Sequence, residues 1–177
     1  GGTAVHVVCT YDPVRQIQAI YTNGILQSMK TSGLVPLSNV STNGGSLGRS
    51  PWYAYGDPYM SGQLDEFRIW SGVLNPLEIA ATEQAGSGTV STNYGTVTNL
   101  QLQVAFQMTQ NTLQQAAVIA TATGLTLQPD IATMCSFASG NTNVLTVNTN
   151  GVITAVAQGS TTVTASFGSV SNAQTIT

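Results

Sequence analysis

Short stretches in which apolar and polar residues alternate run along the chain, and turn-forming residues separate them. Residues 4–11 form the first stretch and residues 17–21 the second. The second meets Asn23-Gly24, and apolar residues resume at 25–26. An Asn-Gly pair accepts the positive φ angles of a tight turn, so this order predicts a β-hairpin.

Residues 63–70 alternate in the same way and predict a further strand. Successive side chains of a strand point to opposite faces, so Asp65 shares a face with Phe67 and Ile69. The two large apolar side chains mark that face as the core face. A carboxylate on a core face needs hydrogen-bond partners, and Asp65 is expected to accept backbone N–H bonds from a neighbouring loop.

One short helix is expected near residues 76–84. Asn75 can cap its first turn, Pro76 suits the first helical position, and Glu78 follows the cap by three residues. Gly86 ends it. The helix is an exception in a chain whose other signals are those of strands.

Small polar residues fill positions 86–98, and this composition predicts a linker. Beyond it the strand-like stretches are short and closely spaced. They lie near 99–108, 115–123, 131–137, 144–147, 152–157, 161–167 and 172–176. About seven short strands in so short a segment are typical of an Ig-like sandwich. The predicted domains are therefore 1–85 and 99–177, joined by the linker.

Charged residues make up only 6% of the 177-residue chain, and Gly is frequent, with 18 residues. Surface helices need charged residues on their wet face, whereas sheets can use Thr, Ser, Asn and Gln there. The fold class is therefore predicted to be all-β and antiparallel. Asp130 is the one charged side chain after Glu83, and this asymmetry also favours two domains.

The distribution of charge and hydrophobicity excludes two classes of partner. The four basic residues are scattered and form no patch, so nucleic-acid binding is not expected. No apolar run approaches the roughly 20 residues of a membrane-spanning helix, so membrane insertion is not expected either.

The N-terminal part resembles the laminin-G-like (concanavalin-A-like) jelly roll of large extracellular bacterial proteins. Residues 62–70, Gly-Gln-Leu-Asp-Glu-Phe-Arg-Ile-Trp, are similar to the closing Gly-x-Ile-Asp-Glu-Val-Arg-Ile-Trp strand of that family. Residues 6–12 and 20–26 are similar to its Trp-His-His-Val-Ala-x-Thr-Tyr-Asp and Leu-Tyr-Val-Asp-Gly strands. Ala4 and Val5 depart from the family's usual Trp and first His.

The C-terminal part resembles the group 2 bacterial Ig-like domain of invasin- and intimin-type adhesins. Residues 148–165 carry the resemblance, because they follow the family's Asn-Gly-x-Val-Thr-Ala-Val-Ala-x-Gly-x-Thr-x-Ile-Thr-Ala core. Cys135 takes the place of a usual Trp. The resemblances imply a secreted or cell-surface protein of the kind that bacteria use for adhesion and carbohydrate binding.

A whole jelly roll of this type needs about twice the length of residues 1–85. Half a sandwich leaves its apolar strand faces uncovered. We therefore expect a preceding N-terminal segment or a neighbouring chain to complete the jelly roll.

Catalytic constellations are not apparent in the sequence, so no catalytic residue is assigned and the protein is expected not to be an enzyme. His6 is the single histidine, and the family resemblance makes it a structural residue on a strand. Asp65 and Glu66 are adjacent and point to opposite faces, which does not suit a glycosidase pair. Cys9 and Cys135 lie in apolar runs of different domains, and both are expected to be buried free thiols.

Aromatic side chains are concentrated in one short Gly- and Pro-rich stretch, which predicts a ligand-binding site. The candidate binding residues are Arg49, Trp52, Tyr53, Tyr55 and Tyr59. Aromatic faces stack on the C–H surfaces of sugars, and polar neighbours bind the hydroxyl groups. In the alternative interpretation, which the sequence favours slightly, these rings only cover one end of the sandwich or contact the Ig-like domain.

Calcium is the one cofactor that the resemblance implies, because some proteins with this fold bind Ca²⁺ through loop oxygens. Asp57 and Asp65 are the candidate ligands. Calcium takes about six to eight oxygens.

The favoured function is a non-catalytic extracellular module in which the jelly roll binds a glycan or a surface protein and the Ig-like domain acts as a spacer. A structural subunit of a surface layer, fibre or stalk is one alternative, since low charge and Thr- and Asn-rich faces suit it equally. An accessory module of a polysaccharide-degrading enzyme is the other.

Overall fold

The computed structural model describes residues 2–39, 47–50 and 52–177, and in these the protein is an all-β molecule with antiparallel sheets. The N-terminal elements are β1 (Val7–Asp12), β2 (Ile17–Thr22), β3 (Ile25–Lys30) and α1 (Pro76–Ala85). The C-terminal strands are β4 (Val97–Gln103), β5 (Leu113–Gln115), β6 (Ala117–Ala122), β7 (Ser136–Ser139), β8 (Leu145–Val147), β9 (Val152–Ala155), β10 (Thr161–Phe167) and β11 (Val170–Ile176). Single 3₁₀ turns lie at Leu37–Asn39, Tyr53–Tyr55 and Ala132–Met134. The predicted fold class is confirmed.

Strands β1, β2 and β3 form an antiparallel sheet in that order, which we call the hairpin sheet. The predicted turn between β2 and β3 is confirmed, because Asn23 has φ 49° and Gly24 has φ 75°. These left-handed angles match the twist of a two-residue hairpin. One face of the sheet buries Ile17, Ala19 and Tyr21, which pack with Ile79 of α1 into a small cluster, the hairpin core.

The sheets of the C-terminal part enclose the larger core. Their orders are β11-β10-β7, β4-β6 and β5-β9-β8, and β4 also contacts β11. The predicted succession of short strands is present, with differences. Eight strands form where seven were predicted, because β5 and β6 are separate strands, and β4 ends at Gln103 although the prediction ran to 108. A 3₁₀ turn, Ala132–Met134, occupies part of the strand expected at 131–137, and β4 begins at Val97, two residues before the predicted domain boundary. The domain boundaries and the Ig-like assignment stay predictions.

Helix α1 has the predicted start and end. The Asn75 side chain accepts a hydrogen bond from the Glu78 N–H at 3.0 Å, and the Glu78 carboxylate accepts one from the Asn75 N–H at 2.8 Å. This reciprocal pair is a capping box. Gly86 ends the helix with φ 75°. The helix predicted near 76–84 is confirmed as Pro76–Ala85.

Helix α1 joins the two parts of the chain, which the sequence did not predict. Leu77 is fully buried and belongs to the larger cluster built by the C-terminal sheets, which we call the C-terminal core. Ile79, two residues later, is fully buried in the hairpin core. Gln84 extends the junction: its side chain donates to the Gly124 carbonyl at 2.8 Å and accepts from the Thr126 N–H at 2.7 Å.

Residues 63–70 do not form the predicted strand in the structure. Phe67 and Ile69 are exposed, Ile69 to 85%, and Asp65 is exposed as well, so the expected core face is not buried. Glu66 and Arg68, on the opposite side of the alternation, are tied to the chain by hydrogen bonds. The Arg68 guanidinium donates to Glu66 and to the Thr89 carbonyl. A strand face becomes buried only when a second layer covers it, and within the described residues no layer covers Phe67 and Ile69. A segment that completes the jelly roll stays a prediction.

The two cysteines are free, but only one of them is buried. Cys135 is buried as predicted, whereas Cys9 is exposed, which corrects the expectation for that thiol. Cys9 lies opposite Ile20 in the register of β1 and β2, on the face of the hairpin sheet that points away from α1. Alternation places it on the uncovered side.

This difference in exposure predicts the reactivity of the two thiols. We expect a maleimide to label one cysteine per folded molecule near neutral pH and both after denaturation. Burial, with a smaller contribution from the Asp130 charge, raises the pKa of Cys135 to about 11, so this thiol is almost never a thiolate. Mass spectrometry counts the labels. Cys9→Ser should abolish labelling of the folded protein, and continued labelling of that variant would contradict the assignment.

Candidate functional site

The aromatic loop, residues 48–60, holds the predicted binding residues and is closed at its base. The Met60 N–H donates to the Gly48 carbonyl at 2.8 Å, and Gly48 has φ 71°. A side chain at this φ would be strained, so glycine suits the closing position. A hydrogen bond therefore joins the two ends of the loop to each other.

Hydrogen bonds within the loop fix the part that carries Trp52. The Ser50 hydroxyl donates to the Asp57 carboxylate at 2.6 Å, and the same hydroxyl oxygen accepts from the Trp52 N–H at 3.0 Å. The Tyr55 N–H then donates to the Trp52 carbonyl at 2.8 Å in a 3₁₀ turn. Asp57 thus orders the loop through Ser50.

Three aromatic side chains of the loop are exposed. Trp52 is 63%, Tyr55 83% and Tyr59 65% exposed. Both interpretations of these rings, a ligand-binding site and a cover for one end of the sandwich or a contact with the C-terminal part, stay predictions. The Trp52 and Tyr55 rings lie 6.0 Å apart between centroids and are tilted by 53°. Arg49 is exposed on the same loop, and the side chain of Tyr53 lies outside what the structure describes.

The two candidate calcium ligands have different surroundings. Asp57 accepts the Ser50 hydroxyl, while Asp65 is exposed in the segment that forms no strand. Across the described parts of the chain, no three acidic, His or Cys side chains come together as a metal site would require. Calcium binding at Asp57 and Asp65 stays a prediction.

Glu66, one of the two adjacent carboxylates considered as a glycosidase pair, is held by structural hydrogen bonds. Arg68 forms two hydrogen bonds of 2.5 Å to the two oxygens of Glu66, and the Gly88 N–H donates to the same carboxylate at 3.0 Å. The Arg68 hydrogen bonds, and then that of Gly88, lower the pKa of Glu66. A general acid of a glycosidase needs a raised pKa, so this environment suits an ion pair and not acid catalysis.

A second group of titratable residues, at the junction between the two parts of the chain, was missed by the sequence analysis. Asp130 is half-buried, and its Oδ1 atom accepts from the Val118 N–H at 2.8 Å and the Ala132 N–H at 2.9 Å. Burial raises the pKa of Asp130, although these hydrogen bonds oppose the rise. Burial and then the Asp130 charge raise the pKa of Tyr21 to about 12. The sequence signal for this group is Asp130 itself, since it is the one charged side chain after Glu83.

Comparison with known families gives a match for the N-terminal part. Residues 1–80 match the sequence model of the concanavalin A-like lectin/glucanases superfamily, a region that includes the hairpin sheet and the aromatic loop. The resemblance of this part to the concanavalin-A-like fold is confirmed. A search of curated proteins found no match.

The matched superfamily has both lectins and glucanases in its description, so the match indicates a carbohydrate-directed module and leaves catalysis undecided. No helix in the described ranges has the length and apolar character to cross a bilayer.

Proposed function

We propose that this chain is a non-catalytic carbohydrate-binding module of an extracellular adhesion protein, and that its aromatic loop is the binding site. The observation that carries the proposal is the exposed pair Trp52 and Tyr55 within a region that matches the concanavalin A-like lectin/glucanases superfamily. Exposed aromatic rings on an internally ordered loop are costly in water and favour a partner with apolar faces.

The tilt between the rings determines which carbohydrate fits. Two rings at 53° cannot both lie flat on a planar, crystalline polysaccharide surface. They can each stack on one unit of a single chain whose successive units are rotated. The proposed ligand is therefore a soluble glycan chain, with Asp57 or Arg49 bonding to its hydroxyl groups.

The C-terminal part serves, in this proposal, to present the binding loop. Contacts of Leu77 and Gln84 with the C-terminal sheets support a fixed attachment between the two parts. A module attached in this way would hold the loop at a defined orientation on a longer surface protein. The extracellular location rests on the family resemblance and the uncharged, Thr- and Asn-rich surface.

Trp52→Ala is expected to weaken binding of soluble polysaccharide roughly tenfold or more, because it removes one of the two stacking faces. Affinity electrophoresis in gels that contain a neutral soluble polysaccharide measures this directly. Phe106→Ala is the matched control, since Phe106 is likewise an exposed aromatic residue and lies outside the loop. Equal retardation of Trp52→Ala and the unmodified chain would refute the loop as the site.

A further inference from the structure

A cleft of about 570 Å³ lies where the hairpin sheet meets the C-terminal part. Asp12 and Ile17 line it from the N-terminal side, and Met134 and Phe167 line it from the C-terminal side. A second cavity of about 460 Å³ shares Arg15 and Met134 with the first. The volume is in the range of small-molecule sites, roughly 300–1,000 Å³. The described residues of the aromatic loop do not line either cavity.

Arg15 stands where the two cavities meet, and its guanidinium is only loosely held. Its Nε lies 4.0 Å from Asp12 Oδ2, and its Nη1 lies 3.5 Å from the Thr133 carbonyl oxygen. Both distances exceed those of well-formed hydrogen bonds. The side chain is 61% exposed, so its donors can turn toward a ligand.

Asp12 supplies an acceptor next to these donors. Its Oδ1 atom accepts the backbone N–H groups of Val14 and Arg15 at 3.0 Å each, which fixes the carboxylate. Among the described residues, its Oδ2 atom makes the long contact with Arg15. The cleft therefore offers a charged donor and a charged acceptor side by side, above apolar side chains that include buried Ile17.

We propose that this cleft is a second carbohydrate-binding site, which takes one ring of a neutral polyhydroxylated ligand. Asp12 balances the charge of Arg15, so the rim favours neither an anion nor a cation. Hydroxyl groups can donate to Asp12 and accept from Arg15 at once, and the C–H face of a sugar can pack on Met134 and Phe167. The inference shares its ligand class with the proposed function, but it concerns a separate site.

Methionine methyl NMR can observe the two sites separately, because the chain has four methionines. Met134 lines the cleft, Met60 lies at the base of the aromatic loop, and Met29 and Met108 lie elsewhere and act as references. The full chain, labelled at the methionine methyl groups, is titrated with neutral hexasaccharides of glucose, xylose, mannose and galactose. We expect a saturable shift of the Met134 signal with at least one of them.

Two variants test whether that shift comes from the proposed residues. Arg15→Gln and Asp12→Asn should each weaken the Met134 response roughly tenfold, since each removes a charged hydrogen-bonding partner. Trp52→Ala should leave the Met134 response unchanged. Unshifted Met29 and Met108 signals in the free variants establish that the fold is kept, and Asn at position 12 retains the oxygen that orders the turn.

Other outcomes separate this inference from the proposed function. A Met60 response without a Met134 response overturns the cleft site and leaves the aromatic loop as the binding site. A Met134 signal that stays unchanged with all four sugars overturns the cleft site. A Met134 response with full strength in both Arg15→Gln and Asp12→Asn overturns it as well.

Discussion

Replacing Leu77 by alanine is expected to lower the free energy of unfolding by about 2–5 kcal/mol. Leu77 is 0% exposed and belongs to the C-terminal core. The helix that carries it, α1, also packs against the hairpin sheet. The substitution removes buried apolar atoms and leaves a cavity that the surrounding strands fill only in part. Urea denaturation followed by circular dichroism measures the loss.

Leu113→Ala is the matched control, because the same atoms are removed from an exposed side chain of β5. Its expected effect is within about 0.5 kcal/mol. Hydrogen exchange adds a local readout: in Leu77→Ala, the amides of Leu100 and Val118 in the C-terminal core should exchange faster. Equal stabilities of the two variants would show that α1 does not contribute to the C-terminal core.

Asp130→Ala is expected to destabilise the fold by roughly 2–4 kcal/mol, while Asp130→Asn should cost far less. The alanine variant leaves the Val118 and Ala132 N–H groups without their acceptor. The asparagine variant keeps an oxygen at the same position and removes only the charge. Thermal denaturation of the three proteins separates the loss of the acceptor from the loss of the charge.

The pH dependence of stability gives Asp130→Asn a second signature. Because burial raises the pKa of Asp130 above its ordinary value of 3.8, the folded state binds this proton more tightly than the unfolded state. The part of the stability that depends on protonation of Asp130 is therefore present at low pH and is lost as the pH rises through the folded-state pKa. Asp130→Asn should lack that part of the profile. A profile unchanged by the substitution would contradict the assignment.

Local chemistry in the sequence was sufficient for several elements. The Asn23-Gly24 turn and the capping box of Asn75 and Glu78 were predicted and confirmed, because neighbouring residues alone determine them. The alternation of the C-terminal strands was equally informative, since it reflects which side chains face a core.

Features that depend on distant parts of the chain were not predictable. Alternation in residues 63–70 indicates two faces, but it cannot say whether a second layer covers Phe67 and Ile69. The partners of Asp130 depend on a bridge between Ile119 and Asp130 and on the turn that follows it. The contact of Leu77 with the C-terminal sheets depends on the packing of two separately predicted parts.

The candidate site was predictable in composition and not in geometry. The clustering of Trp52, Tyr55 and Tyr59 identified the loop, whereas their exposure and the tilt of two rings came only from the structure. Arg15 and Asp12 gave no sequence signal as a site, because their cleft forms only when the C-terminal part packs beside the hairpin sheet.

The aromatic loop is proposed to bind a soluble glycan chain. A glycan array probed with the fluorescently labelled chain, beside Trp52→Ala and Phe106→Ala, tests it most directly. We expect binding to a restricted set of neutral oligosaccharides, retained in Phe106→Ala and lost in Trp52→Ala. An array on which the unmodified chain binds no glycan, or on which Trp52→Ala binds the same glycans equally well, would contradict it.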